Sequence, residues 1–219
     1  MTIRSHPQPD TLISYAAGTL PGAIAGVVAC HLSVCGQCRA DMRRLEVLGG
    51  LLLEQLPLDG AEAEAFAGRR MLAPEFVPAM AEAEPAPPAP DDPLLPAPLA
   101  RYLGMSSDEI PWKSLPKGVK QYWVTLPEGA GLMRLLKVPP HTQLLEHSHH
   151  GQEVTMVLKG VYSDYTGDYV PGDVCEMSEG MEHRPAGSSD GECVCIVASE
   201  FAPHYSRWYA RLLQPLLGF

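Results

Sequence analysis

Cys30-His31-Leu32-Ser33-Val34-Cys35-Gly36-Gln37-Cys38 carries an imidazole and two thiols at the spacing H-x3-C-x2-C. On a helix that begins near Cys35, positions three and four apart share a face. His31, at the end of the preceding helix, therefore converges with Cys35 and Cys38 on one point. A structural zinc closes its tetrahedral shell with a fourth ligand. His6 is the only other histidine in the first hundred residues, and Cys30 is the competing sulfur. A resting disulfide is disfavoured, because the chain opens Met1-Thr2-Ile3-Arg4-Ser5 with no apolar run of signal-peptide length.

The sequence around this motif reads as helices. Asp10 is expected to cap a short helix through Leu12, Ile13 and Tyr15 that ends at Gly18, and Pro21 suits the first turn of a second helix running to His31. A third helix, Cys35 to about Gln55, carries Met42, Leu45, Val47, Leu48, Leu51, Leu52 and Leu53, a broad apolar surface. Asp59 and Glu62 form a capping-box start for a further helix to about Met71. So small a unit has a marginal core. Metal would supply much of its fold, and a partner, a second copy or the other half of the chain would cover the spare leucines.

Nine of the 22 prolines fall between Pro74 and Pro98, which predicts an extended, acidic Pro/Ala-rich linker over residues 73–100. Charge follows the same division. Residues 1–56 carry four basic and four acidic side chains, 57–100 two and eight, and 101–219 ten and fourteen, summing to −10. No basic stripe exists to neutralise phosphates, so direct nucleic-acid binding is not expected. An acidic body suits a basic protein partner, and acidity also serves solubility. No apolar run approaches a membrane span, which points to a cytoplasmic protein.

After the linker the pattern turns to short strands: Gln121–Thr125, Met133–Val138, Val154–Leu158, Asp173–Met177 and Glu192–Ala198, a barrel or jelly roll. Within it lies H-x-H-x3-E-x6-G, formed by His147, His149, Glu153 and Gly160, and His183 follows downstream. Alternation puts His147 and His149 on one face, with Glu153 on the next strand. Three imidazoles and one carboxylate could hold zinc, iron, manganese or nickel. His150 should point away, and His141 and His204 should lie at the surface. Cys193 and Cys195 share a face of the last strand; they are oxidisable if exposed and core residues otherwise.

Residues 141–187 resemble the two cupin motifs, departing at His141 where the first glycine is expected, and at Ser178 and Gly187 in place of proline and asparagine. The first 70 residues resemble the zinc-containing anti-sigma domain, through His6 and His31-x3-Cys35-x2-Cys38. Joined by a linker, the two resemble the ChrR family of anti-sigma factors. The resemblance implies two domains: an all-α zinc-binding helical domain over 1–72 and an all-β cupin (jelly-roll) barrel over 101–219. It further implies a group IV (extracytoplasmic-function) sigma factor as partner in a 1:1 heterodimer, held by the zinc-bound helices and released under oxidative stress such as singlet oxygen. His6, His31, Cys35 and Cys38 would hold zinc, and His147, His149, Glu153 and His183 zinc or another divalent transition metal. The rival reading is a dioxygenase-like cupin enzyme with a helical dimerisation domain. Beyond the metal, only Tyr162, Tyr165 and Glu176 offer catalytic groups for it, so the expectation is a regulator and not an enzyme.

Overall fold

The computed structural model describes residues 2–55, 92–188 and 191–205. The expected helix over 59–71 and residues 73–91 of the expected linker lie outside these segments. Three helices open the chain: α1 (Pro9–Ala16), α2 (Gly22–Val34) and α3 (Gly36–Glu54). Pro9, not Asp10, begins α1; Asp10 sits in its first turn, where its carboxylate accepts the Thr11 N–H at 3.0 Å. Helix α2 runs past His31 to Val34 and meets α3 at a bend of 115°. Cys35 occupies the bend as the N-cap of α3, its Sγ accepting from the Cys38 N–H at 3.4 Å. Among the described residues no single helix is long and apolar enough to cross a membrane.

Helix α4 (Ala97–Leu103) precedes the strands and corrects the expected linker boundary, since ordered structure begins before residue 100. Asp92 accepts the backbone N–H groups of Leu94, Leu95 and Ser107, and Leu95, Leu99 and Ala100 are buried. A run read as proline-rich spacer therefore becomes a short helix, ended by Gly104, whose apolar side has a partner.

Among the described residues the β half holds nine strands: β1 (Lys113–Ser114), β2 (Lys120–Trp123), β3 (Leu132–Val138), β4 (Glu153–Lys159), β5 (Tyr162–Asp164), β6 (Gly167–Tyr169), β7 (Val174–Met177), β8 (Ala186–Gly187) and β9 (Cys193–Ser199). They form a six-stranded sheet ordered β1-β2-β3-β9-β4-β7 and a three-stranded sheet ordered β6-β5-β8, with every pairing antiparallel. The five strands expected from alternation are β2, β3, β4, β7 and β9, all in the larger sheet. The strands missed are two or three residues long.

The larger sheet is covered on both faces. Cys193, Cys195 and Val197 of β9 join Leu136, Val157, Cys175 and Met177 inside the barrel. Ile196 and Ala198 of the same strand join Met133, Leu135, Val154 and Met156 on the other face, against Ala23, Ile24 and Val27 of α2 and Leu99 of α4. This is why α2 is apolar nearly all round: it is a layer of the core. Ile24→Ala removes a fully buried side chain at the junction of both halves. It is expected to cost about 3 kcal/mol and to lower one shared unfolding transition rather than split it, as calorimetry would read.

The segment before α1 seals the β7 edge. Val174 N–H donates to Ser5 O at 3.0 Å, and the buried Asp173 carboxylate accepts the N–H groups of Arg4 and Ser5. Glu176 accepts from Gln8 N–H, the Thr11 hydroxyl and the Gln152 amide. Burial raises the Glu176 carboxyl above its ordinary range, and these hydrogen bonds oppose the rise. An acid raised in the fold contributes stability below its unfolded pKa of about 4.3, and that stability is lost as pH rises through the folded value. Glu176→Gln is therefore expected to flatten the dependence of the unfolding midpoint as pH rises above about 4.3. An unchanged pH profile would show that Glu176 is not the responsible group.

Two candidate metal centres

The first centre is assembled where α2 bends into α3. His6 Nδ1 lies 3.5 Å from Cys35 Sγ and 3.4 Å from Cys38 Sγ, and His31 Nε2 lies 3.3 Å from Cys38 Sγ. Ligands of one tetrahedral zinc, at about 2.3 Å for sulfur and 2.0 Å for nitrogen, stand roughly 3.5 Å apart. The four donors therefore fit a zinc ion, and all lie within 4.8 Å of one another. His31 Nδ1 donates to the Gly172 carbonyl at 2.9 Å, which sets its tautomer and leaves the Nε2 lone pair facing the thiols. Burial lowers the His31 pKa, which keeps the ring neutral. Burial, with Cys35 beside it, pushes the Cys38 thiol up to about 12, so a thiolate at this point calls for a cation. Cys30, the competing sulfur, packs instead in the core beside Ile24 and Val27.

The second centre lies inside the barrel. His147 and His149 come from the segment before β4, Glu153 from the first residue of β4, and His183 from a bridge that pairs it with His147. His183 Nε2 is 3.1 Å from both His149 Nε2 and His147 Nε2, and Glu153 Oε1 is 3.5 Å from the His149 and His183 nitrogens. Three imidazole nitrogens aimed at one another cannot satisfy themselves by hydrogen bonding, whereas a shared cation uses every lone pair. His147 Nδ1 donates to Leu145 O at 2.7 Å, and His183 Nδ1 faces Asp164 Oδ2 at 3.5 Å and the Tyr162 hydroxyl at 3.4 Å. His149 Nδ1 is buried without a hydrogen-bond partner among the described residues.

Burial and the neighbouring His183 push His147 well below the ordinary imidazole range and His149 to about 3, so both rings are neutral ligands at neutral pH. Burial raises the Glu153 carboxyl, which His183 opposes. When bound, a divalent metal would supply Lewis acidity and the compensating positive charge.

The remaining sequence candidates separate. His150 is exposed and faces Glu179, as expected for a residue pointing away from the pair. His141 sits exposed in a turn at φ 56°, the left-handed region that glycine favours, and this is the position where the cupin motif has its glycine. His204 is exposed and pairs through its backbone with Ser148. Of the three possible catalytic groups, Tyr165 is exposed, Glu176 faces the helical half, and Tyr162 alone is aimed at the centre. Cys193 and Cys195 are buried in the barrel, packed with Leu136, Val157 and Met177. Asp164 and the Gly172 carbonyl, which orient metal-facing histidines, carried no signal in the sequence.

Residues 101–202 match the model of the ChrR cupin-like domain. Over 217 residues, covering 98% of each chain, the protein is 35% identical to the anti-sigma-E factor ChrR of Cereibacter sphaeroides. It is also similar to ChrR in the crystal structure of Rhodobacter sphaeroides SigE in complex with that anti-sigma factor. There the identity is 33%, the TM-score 0.69, and the match covers 90% of this chain and 99% of the other. With both centres in place and a relative matched along almost its whole length, this chain belongs to the ChrR family of anti-sigma factors.

Proposed function

We propose that this protein is a cytoplasmic anti-sigma factor that sequesters a group IV (extracytoplasmic-function) sigma factor as a 1:1 heterodimer and releases it under oxidative stress such as singlet oxygen. The observation that carries the reading is the far half of α3. Val47, Leu48, Leu51, Leu52 and Leu53 are each more than half exposed on a helix that only Cys38 and Met42 bury. A metal-anchored helix with a bare apolar surface is built to bind another protein. The relative described above, seen with SigE, supports a sigma factor as that protein.

In this reading His6, His31, Cys35 and Cys38 hold zinc that fixes α3 against the fold. His147, His149, Glu153 and His183 hold zinc or another divalent metal in the half that receives the signal. The free volume beside Glu153 and Thr155 is about 20 Å³, room for about one water molecule, which favours a regulatory centre over turnover of an organic substrate on that side.

Coexpression with the sigma factor encoded in the same cell is expected to yield an equimolar complex. A chain that purifies alone, or that consumes a small molecule with dioxygen, would overturn the reading. His147→Ala with Glu153→Ala should remove one of two metal equivalents and leave the sigma factor inhibited but unresponsive to singlet oxygen in a sigma-dependent reporter. Normal induction in that strain would exclude the barrel metal from signalling.

A further inference from the structure

His6 stands apart from the other three donors of the first centre. His31 belongs to α2, Cys38 to α3, and Cys35 caps α3, whereas His6 lies in the stretch before α1, where the chain has neither helix nor strand. A donor on irregular backbone needs its place fixed by other groups. The barrel supplies them. Asp173 Oδ1 accepts the Arg4 N–H at 2.7 Å and the Ser5 N–H at 3.0 Å, and Ser5 O accepts from the Val174 N–H at 3.0 Å. On the other side of His6, Pro7 is buried and the Gln8 N–H donates to Glu176 Oε1 at 2.9 Å. The backbone of His6 is thus strung between two barrel carboxylates.

The turn that carries Asp173 is itself held. Asp173 Oδ2 accepts the Val170 N–H at 3.0 Å, the Gly172 N–H donates to Val157 O at 2.8 Å, and the Val157 N–H donates to Asp173 O at 3.1 Å. Val157 is on β4, so the turn is clamped to the strand that opens with the barrel residue Glu153. The same turn presents the Gly172 carbonyl to His31, and the Asp173 charge reaches that ring. Burial lowers the His31 pKa, and the Gly172 hydrogen bond and the Asp173 charge oppose the fall. Asp173 is 1% exposed, and a carboxylate so deeply buried persists because its hydrogen bonds hold a segment in place.

We infer that Asp173 is a positioning residue of the first centre: acting from the barrel, it sets how tightly the helical half holds its metal by fixing His6 against Cys35 and Cys38. The inference rests on the reading of that centre as a zinc site. The N–H groups of Arg4 and Ser5 take one carboxylate oxygen and that of Val170 the other, so both oxygens must accept, which a neutral amide of the same size does not offer.

The test is a cobalt(II) titration of the full-length protein. Thiolate-to-cobalt absorption reports the cysteine centre and not the barrel centre, whose donors are nitrogen and oxygen. Asp173→Asn keeps the size of the side chain and turns one acceptor into a donor that faces a backbone N–H. It is expected to weaken cobalt at the cysteine centre about 10- to 100-fold, with the barrel metal and the far-ultraviolet circular dichroism unchanged. In a His6→Ala background the same substitution should change affinity less than about threefold, because the donor it acts through is gone. Should Asp173→Asn fail to fold, Ser5→Pro removes a single N–H from the helical side and leaves the barrel intact; it should weaken cobalt in the same direction, again only when His6 is present. Wild-type affinity in a folded variant, or an equal loss with and without His6, would overturn the inference. A wild-type protein without thiolate-to-cobalt absorption would remove the metal reading itself, and the inference with it.

Discussion

Serine at both Cys35 and Cys38 will leave the protein with one metal equivalent instead of two and without measurable affinity for its proposed sigma partner. The two thiols are half of the first centre's donors, and the oxygen of serine is a poor substitute for a thiolate on zinc. Structural zinc contributes on the order of 10 kcal/mol to small zinc domains, more than any single contact in the helical half. The loss will not be uniform. Helix α2 is held by Ala23, Ile24 and Val27 against the sheet and will stay. Helix α3 is buried only through Cys38 and Met42, so it loses its anchor. Metal analysis, far-ultraviolet circular dichroism and a sigma-binding titration read the three consequences separately. Wild-type affinity in a variant shown to lack the first zinc would mean that the metal has no part in presenting α3.

Glutamate at Leu48 and Leu52 should reduce sigma affinity at least a hundredfold, about 2.7 kcal/mol, while leaving the isolated protein intact. The two residues lie four apart, on one side of α3, and are 53% and 58% exposed. Both are more than half exposed, so the unfolding midpoint should correspond to a change within about 0.5 kcal/mol. The two readouts together make the result decisive, because a folding defect would move both. Unchanged affinity would place the sigma contact elsewhere, and the leucine surface would then need another occupant.

The two donor clusters were legible because a shared centre imposes fixed spacing: His31, Cys35 and Cys38 follow helical geometry, and His147, His149 and Glu153 follow strand alternation and a return. The long strands were legible for the same reason. What the sequence concealed was the relation of the halves. Helix α2 reads simply as apolar, and nothing local says that its partner is a sheet a hundred residues downstream. Likewise α4 lies in a proline-rich run whose composition outweighs the burial of Leu99, and burial is a tertiary fact. Tyr162 and Asp164 could be listed as polar residues on a strand, but only the pairing of β5 with β8 directs Tyr162 toward His183.

The contact between the halves also limits how such proteins can be recombined. Gly131 and Gly172 both have positive φ, and in each case a Cβ would collide with the other half's neighbourhood: at Gly131 with Ser199 O and then Ala23, at Gly172 with Ile3. A chimera that transplants residues 1–55 of a relative onto this barrel must therefore bring a small side chain at position 23 and one at position 3 that tolerates the bare Gly172 backbone. It must also leave the Gly172 carbonyl within reach of its own histidine. Exchange of recognition helices between such regulators, whether by a laboratory or by gene fusion, would meet its barrier at this seam rather than at the proline-rich connection.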